Sequence, residues 1–317
     1  MQIGLIGAGR WGKRYIETLN RMPDINLAYL ASRNPESVSL VPSTCKVTPD
    51  WRNLLENTGL DGIIIATPPE THLEIAIESI HAGIPVLIEK PMTISLPAAQ
   101  NLVKEAADCG ILIMVGHTHL FSAAFRGLKM KGQSLGKLKN MHSSGGAWGP
   151  FRPDTPPLWD WAPHDISMSI ELSGSFPSHI SAKRTGFIQQ PQGTGESFRI
   201  ILDFESGACS EINISNIQQN KQRLFKATYE GGSLIYDDLA ENKLVFQFSS
   251  KSAVEPVAID HSLPLTNLVA DFCRAIGEGR RYDQSLHLGL QVVEVLTECQ
   301  KSLNVTESYY NAKSNRA

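Results

Sequence analysis

"QIGLIGAGRWG", residues 2–12, runs from a short apolar segment into three glycines and then into a helical pattern. Gly7, Gly9 and Gly12 have G-x-G-x-x-G spacing, which binds the phosphates of a dinucleotide when a strand precedes it and a helix follows. Gly7 permits the tight turn, Gly9 lets the backbone approach a pyrophosphate, and Gly12 allows close packing of helix and strand. The stretch therefore predicts a phosphate-binding loop, with a purely structural turn as the alternative.

Short apolar runs alternate with helical patterns from the N-terminus to residue 117. Strands are predicted at residues 2–6, 25–32, 61–67, 85–90 and 111–117. Such alternation is typical of βαβ units with a parallel sheet. Residues 1–118 are therefore predicted to form a dinucleotide-binding α/β domain of the Rossmann type, with a doubly wound parallel sheet.

The pattern changes after residue 118. Strand candidates with partial alternation and Gly-rich turns follow one another, and few helices intervene. Two helices are expected near the end, at about 265–277 and 286–303, while the tail at 308–317 shows no clear periodicity. Residues 119–317 are therefore predicted to form an α+β domain with an open, largely antiparallel sheet.

Composition and charge narrow the class of protein. The 317 residues are 42% apolar and 19% charged, which suits a folded protein of about two domains. A net charge of −3 gives no general attraction to nucleic acid or to an anionic membrane. Five scattered cysteines without C-x-x-C spacing argue against a disulfide framework and against a metal site. A cytoplasmic protein is expected, because no signal peptide or spanning segment is visible.

The end of the second predicted strand bears on the choice of cofactor. A site for NAD usually carries an Asp or Glu there, which accepts a hydrogen bond from the ribose 2′-hydroxyl. This chain has Ser32 and Arg33 at that point and no acid. Arg33 can pair bidentately with a 2′-phosphate, and Ser32 can donate to it. NADP is therefore expected in preference to NAD, the alternative being an Arg33 that is merely solvated.

"ATPPETH", residues 66–72, ends the third predicted strand at the carboxyl edge of the sheet, where open α/β sheets bind ligands. Thr67 and Pro68 are expected to border the cofactor, and the prolines stiffen the loop. Thr71 is a candidate cap for the next helix, which is also the structural interpretation of the whole stretch. His72 either touches a ribose or only occupies the first helical turn.

"EKP", residues 89–91, ends the next predicted strand at the same edge. The strand is expected to direct Lys90 into the ligand crevice, while Pro91 fixes the exit of the chain. Glu89 is counted with the cofactor-binding residues. The stretch therefore predicts a lysine with a role beyond that of a solvated cation.

"LWDWAPHDISMSIEL", residues 158–172, contains a D-x-x-x-H pair, Asp160 and His164. Oxidation of a secondary alcohol requires a base for the hydroxyl proton, and a histidine with an ordinary pKa of about 6.5 suits this role. Asp160 can orient His164, and Lys90 can hold the reacting oxygen. Alternatively, Asp160 is an N-cap and Pro163 lies in the first turn of a buried helix. Catalysis is the favoured hypothesis in the presence of the Gly loop and the lysine.

Five motifs follow one another along the chain: "GLIGAGRWG", "IIIATPPETH", "VLIEKPM", "ILIMVGHTHLF" and "WDWAPHD". Together they resemble the glucose–fructose oxidoreductase / inositol dehydrogenase / rhizopine-catabolism (Gfo/Idh/MocA) family of NAD(P)-dependent oxidoreductases. The resemblance covers nearly the whole chain. Many members have two glycines shortly before the aspartate where this chain has "PLW", which leaves the substrate open.

The resemblance implies roles for particular residues. Lys90 matches the family lysine that lies near both nicotinamide and substrate, and Asp160 and His164 match the family's D-x-x-x-H pair. The second domain is expected to bind the substrate, and its open sheet to join subunits into a homodimer or homotetramer. A small sugar-like molecule is the expected substrate, and nucleic acid and membrane are not expected partners.

The sequence thus proposes two sets of binding residues. The cofactor set is Gly7, Ala8, Gly9, Arg10, Trp11, Gly12, Ser32, Arg33, Thr67, Pro68, His72, Glu89 and Lys90. The substrate set is Lys90, His117, Arg152, Trp161 and His164. Aromatic faces suit sugar rings and an arginine suits a carboxylate or phosphate, although packing is an equal alternative for Arg152 and Trp161.

Three functional hypotheses follow. The first is an NADP(H)-preferring oxidoreductase that acts on a hydroxyl of a sugar, cyclitol or nucleotide-linked sugar. The second is a glycosidase of the same family that retains its nicotinamide, which would co-purify without net turnover. The third is a non-catalytic nucleotide-sensing regulator. Lys90 and His164 argue against this last hypothesis, because a sensor needs neither.

Overall fold

The computed structural model describes residues 1–56, 59–152, 155–249 and 253–314, and from residue 305 onward it describes the backbone alone. The chain divides into two compact units. The first comprises Met1–Thr118 and Ser262–Val293, and the second comprises His119–His261 and the residues from Glu294 onward. The first unit therefore draws on two separate stretches of the chain, and a division at residue 118 alone does not include the second stretch.

A six-stranded parallel sheet forms the centre of the first unit. Its strands are β1 (Gln2–Ile6), β2 (Asn26–Ala31), β3 (Lys46–Thr48), β4 (Gly62–Ile65), β5 (Val86–Glu89) and β6 (Ile113–Gly116). Their order is β3-β2-β1-β4-β5-β6, which is the doubly wound Rossmann arrangement. Strands β4, β5 and β6 are buried at every residue, as expected for strands covered by helices on both faces. The predicted fold of this part is confirmed.

The described residues contain eight α-helices. These are α1 (Arg10–Leu19), α2 (Arg52–Leu55), α3 (His72–His81), α4 (Leu96–Cys109), α5 (Ala123–Gly132), α6 (Pro157–Ser173), α7 (Pro264–Gly277) and α8 (Gln284–Ser314). α8 runs well beyond residue 303, so the tail that lacks periodicity is helical as far as Ser314. None of these helices has both the length and the apolar composition that a membrane crossing requires.

Residues 262–293 belong to the first unit because their side chains pack on its sheet. Gly62 at the start of β4 has no Cβ, and one placed there would lie 2.8 Å from Ile276 and 3.0 Å from Phe272. The glycine thus makes room for the buried face of α7. The backbone N–H of Val115 in β6 also donates to the Ser285 hydroxyl, at 3.0 Å. These contacts attach a late segment of the chain to strands formed by its beginning.

The second unit is built on an eight-stranded sheet. Its strands are β7 (Leu138–Trp148), β8 (His179–Gln190), β9 (Gly193–Asp203), β10 (Cys209–Ser215), β11 (Ile217–Tyr229), β12 (Gly232–Asp237), β13 (Leu244–Phe248) and β14 (Val254–Pro256). The order is β14-β13-β12-β11-β7-β10-β9-β8, and β7 and β10 pair in parallel while the other neighbours are antiparallel. The predicted α+β class with a largely antiparallel sheet is confirmed.

Helix α6 begins earlier than the sequence suggests. Pro156 is the residue before the helix, and Pro157 is its first residue. Proline is suited to the first helical position because the backbone N–H there has no partner within the helix. Asp160 therefore lies in the first turn and is not the N-cap, and Pro163 lies inside the helix and not in its first turn. The structural interpretation of the D-x-x-x-H stretch as a cap was wrong in this respect. Because α-helical residues four apart share a face, Asp160 and His164 lie on one side of α6.

Candidate active site

The three glycines of the N-terminal loop are required for different reasons. Gly7 has a φ of 100°, and a Cβ there would lie 2.7 Å from the carbonyl oxygen of Ala66. A Cβ on Gly12 would collide with the carbonyl oxygen of Gly7, so its close neighbour is the loop itself. Gly9 is different, because a Cβ there would meet no described atom within 4 Å. That open space is where a ligand can approach the backbone.

The same loop delivers backbone donors to this space. Gly9 is the N-cap of α1, no side chain caps the helix, and its first turn contains no acid. The first N–H groups of a helix have no partner within it, and its dipole favours negative charge at this end. The exposed Arg10 adds a positive side chain at the start of the helix. The residues present therefore fit the pyrophosphate of a dinucleotide.

The turn after β2 lies directly beside the glycine loop. Gly7 N–H donates to the carbonyl of Ala31, the last residue of β2, at 2.9 Å. Ser32 is half-buried, and its hydroxyl lies 2.7 Å from that of Ser37. Arg33 is exposed and forms no ion pair with another described residue. The structure thus leaves the Arg33 guanidinium available at the edge where the sequence placed a 2′-phosphate.

His72 connects two loops at this edge of the sheet. Its ring is fully buried, with Nδ1 3.1 Å from the carbonyl oxygen of Pro91 and Nε2 3.0 Å from that of Thr67. The Thr71 hydroxyl donates to Thr67 Oγ1 at 2.7 Å or to the carbonyl of Pro68 at 2.8 Å, and it does not cap α3. Burial lowers the pKa of His72, so the neutral ring donates its single N–H to the carbonyl of Thr67 or of Pro91 and only contacts the other. His72 therefore lies packed between the loop after β4 and the loop after β5.

Lys90 and His117 follow neighbouring strands. Glu89 of β5 is in register with Gly116 of β6, so Lys90 and His117 directly follow a pair of facing residues on adjacent strands. Lys90 and His117 are both buried, at 7% and 1% exposure. Burial and, secondarily, the charge of Lys90 lower the pKa of His117 to about 3, so its ring is neutral. Neither ring nitrogen of His117 has a hydrogen-bond partner among the described residues. A neutral imidazole beside an ammonium group can thus offer a donor and an acceptor to a ligand.

Glu89 is tied to the glycine-loop helix. The Tyr15 hydroxyl in α1 donates to Glu89 Oε1 at 2.7 Å, and both side chains are buried. Burial raises the pKa of Glu89 to about 7, against the opposing effects of Tyr15 and Lys90. Tyr15 was not predicted from the sequence, although its position three residues after Gly12 places it one helical turn beyond the loop.

Replacing Tyr15 with phenylalanine is expected to destabilise the protein mainly at high pH. The pKa of Glu89 in the fold, about 7, lies above its ordinary value of 4.5, so its contribution to stability is lost as the pH rises through this interval. Without Tyr15 the ionised carboxylate loses a hydrogen bond that is worth about 1.5–3 kcal/mol, and the protonated form loses less. Urea unfolding at pH 5.5 and pH 8 measures the difference.

The matched control is Tyr29→Phe, because the hydroxyl of Tyr29 lies at a partly exposed site where it accepts from Lys46 at 3.2 Å. This variant is expected to change the free energy of unfolding by less than about 0.5 kcal/mol at either pH. An equal loss of stability in Tyr15→Phe at both pH values would show that Glu89 does not titrate with this hydrogen bond.

The histidine of the D-x-x-x-H pair lies in the second unit among other polar side chains. His164 is buried at 6% exposure, and the ring of His119 meets it edge-on with centroids 4.7 Å apart. His119 Nδ1 lies 3.2 Å from the hydroxyl of Tyr236, whose pKa burial raises well above its ordinary value. Because strand β6 ends at Gly116, His117 and His119 do not lie on one continuous strand. The sequence singled out neither Tyr236 nor the approach of His119 to His164.

Two further charged residues accompany His164. Asp165 is buried, and burial raises its pKa to about 6, an effect that Arg223 partly opposes. The guanidinium of Arg223 in β11 lies over the ring of Trp161, 4.6 Å from its centroid. A cleft of about 10 Å³, which has room for about one water molecule, brings the polar residues together. They are His119, Ser144, His164, Asp165, Arg223 and Tyr236.

Of the substrate residues predicted in the second unit, His164 lines this cleft, and Trp161 and Arg152 do not. Trp161 lies beneath Arg223 at 7% exposure, and its indole nitrogen is buried without a described partner. Arg152 is half-buried and does not line the cleft around His164. Asp160 is also half-buried, in the first turn of α6.

A Rossmann sheet with an open Gly-x-Gly loop is the arrangement of a dinucleotide-binding protein. Residues 1–117 match the model of the oxidoreductase family with an NAD-binding Rossmann fold, GFO_IDH_MocA. The chain belongs to this Gfo/Idh/MocA family, as its motifs indicate. The enzyme class expected from the sequence is confirmed.

Relatives extend this similarity over the whole chain. An oxidoreductase from Magnetospirillum magnetotacticum with a crystal structure is 36% identical in sequence. The match covers 94% of this chain and 99% of that chain, and the two structures superpose with a TM-score of 0.87. The 4-carboxy-2-hydroxymuconate-6-semialdehyde dehydrogenase of a Sphingobium species is 26% identical over 96% of this chain and 99% of its own. The myo-inositol 2-dehydrogenase of Thermotoga maritima is 23% identical over 68% of each chain.

Proposed function

We propose that this protein transfers a hydride between NADP(H) and a secondary hydroxyl carbon of a sugar, cyclitol or nucleotide-linked sugar. The observation that carries the proposal is the buried His164 in a polar cleft, in a chain whose glycine loop is open to a dinucleotide. A relative named myo-inositol 2-dehydrogenase supports a cyclitol or sugar as substrate. The presence of both Lys90 and His164 favours catalysis over nucleotide sensing.

The proposed reaction requires a proton acceptor and a group that stabilises negative charge. Bound nicotinamide dinucleotide supplies the hydride acceptor for oxidation or the donor for reduction. His164 takes the hydroxyl proton as the carbon–oxygen double bond forms, and in the reverse direction it returns that proton. Asp160, one helical turn earlier, favours the imidazolium that results, because an opposite charge nearby stabilises it. The ammonium group of Lys90 favours alkoxide character on the reacting oxygen.

The preference for NADP rests on Arg33. Replacing Arg33 with alanine is expected to weaken NADPH binding by roughly 10- to 100-fold, the value of a hydrogen-bonded charge pair, and to leave NADH binding unchanged. Calorimetric titration with each dinucleotide measures both affinities. Arg10→Ala is the matched control. The side chain of Arg10 adjoins the pyrophosphate loop, so its loss should weaken the binding of NADPH and of NADH alike. Equal weakening of both in Arg33→Ala would remove the argument for NADP.

Product formation tests the reaction itself. The purified protein is incubated with NADP⁺ and a panel of sugars, cyclitols and nucleotide sugars, and NADPH is followed by its absorbance. Appearance of NADPH with a ketone product supports the proposal. Tightly retained nicotinamide with cleavage of a glycosidic bond, and without net NADPH, would instead favour the glycosidase hypothesis.

A further inference from the structure

Arg223 presents a guanidinium that has no ion-pair partner among the described residues. It lies on β11, is half-buried, and is 4.6 Å over the ring of Trp161. Among the described residues it forms no ion pair and no side-chain hydrogen bond, whereas Arg199 on β9 of the same sheet pairs with Glu211 at 2.7 Å. A cation–π contact with an indole restrains the guanidinium and leaves its N–H groups available for hydrogen bonds. The guanidinium is thus held in position before any ligand that could accept its hydrogen bonds is bound.

Arg223 opens into the same cleft as His164. The cleft also receives the side chains of His119 and Tyr236, which can donate or accept hydrogen bonds. Because His164 and Arg223 line one small cleft, a ligand group that contacts His164 there lies beside Arg223. The forked donors of a guanidinium match the geometry of a carboxylate or a phosphate better than that of a neutral hydroxyl.

Asp165 offers a structural explanation for Arg223, and the contacts do not favour it. The two charges interact through space, but they form no ion pair within 4.0 Å. Asp165 is 5% exposed and lies close behind Gly145, where a Cβ would be 3.3 Å from its Oδ2. Asp165 thus supplies a partial countercharge and does not occupy the donors of Arg223.

We propose that Arg223 binds an anionic group on the substrate, a carboxylate or a phosphate, and so selects a sugar acid or a sugar phosphate over a neutral sugar. This inference rests on the proposed function, because it assigns the cleft around His164 to the substrate. It narrows the substrate class to sugar-like molecules with a negative charge.

The test compares neutral and anionic forms of the same sugars. Glucose, galactose and mannose, their uronates and their 6-phosphates are titrated calorimetrically into protein saturated with NADPH. Wild-type protein is expected to bind one anionic form at least about tenfold more tightly than the parent sugar. Arg223→Gln should remove that preference, a loss of roughly 10- to 100-fold, and Arg223→Lys should retain part of it. The form that binds more tightly distinguishes a carboxylate from a phosphate.

Arg199→Gln is the matched control, because it removes an arginine of the same sheet outside the cleft and should leave the preference intact. Thermal unfolding of all variants identifies any loss of folding. Absence of a preference for either anionic form in the wild type, or a preference that survives in folded Arg223→Gln, overturns the inference. Failure of the proposed function has a different signature: NADPH does not bind, or His164→Ala retains full turnover, whatever residue stands at position 223.

Discussion

Replacing His164 with alanine is expected to lower kcat by roughly 10²- to 10⁴-fold, the usual contribution of a general acid or base. Affinity for NADPH should remain unchanged, because the proposed dinucleotide site lies in residues of the first unit. The physical reason is that the hydroxyl proton then has no positioned acceptor when the hydride leaves. Steady-state turnover with the substrate found in the panel, together with calorimetry for NADPH, measures the two quantities separately.

His142→Ala provides the comparison for this variant. His142 is exposed on β7, next to Ser143, and does not line the cleft, so its loss should leave kcat within about twofold. Asp160→Asn keeps the size of the side chain and removes its charge, and an intermediate loss of kcat is expected. Full turnover in His164→Ala would exclude this histidine as the acid or base and would leave Lys90 as the candidate for that role.

Gly12→Ala is expected to destabilise the first unit and also to weaken the binding of the dinucleotide. The added Cβ collides with the carbonyl of Gly7, and backbone cannot yield as a flexible side chain can. Overpacking of this kind costs about 1–3 kcal/mol of the free energy of unfolding. Urea unfolding measures that loss, and NADPH titration measures the damage to the loop.

Gly9→Ala separates ligand binding from folding. A Cβ on Gly9 meets no described atom within 4 Å, so the free energy of unfolding should change by less than about 0.5 kcal/mol. NADPH affinity should nevertheless fall roughly 10- to 100-fold, equivalent to one lost hydrogen bond to a charged group. If Gly9→Ala binds NADPH like the wild type, the pyrophosphate does not approach this residue, and the glycine loop has only a structural role.

The fold of the first unit could be predicted because three of its strands are buried at every residue. β4, β5 and β6 are therefore continuous apolar runs, which are visible without any knowledge of their neighbours. β3 was missed because it has three residues at the edge of the sheet and no buried position. The late segment with α7 was harder to assign, since its place depends on the gap left by Gly62 and not on its own pattern.

The candidate site could be predicted where its residues are close in sequence. Asp160 and His164 were found through their spacing, and Asp165 was overlooked although it is an acid within a continuous buried run of α6. Arg223 and Tyr236 could not be found in this way. Their approach to His164 depends on the pairing of β11 with β7 and β12 across the sheet, and no local spacing encodes that register.

His72 has a consequence for the thermodynamics of ligand binding. One buried imidazole contacts the backbone carbonyls of Thr67 and Pro91, so the loop before α3 and the loop after Lys90 share a single anchor. The conformational entropy of both loops is consequently lost during folding and not when a ligand arrives. The two loops are thus already ordered when a ligand binds. The free energy of binding is therefore reduced less by the cost of immobilising them.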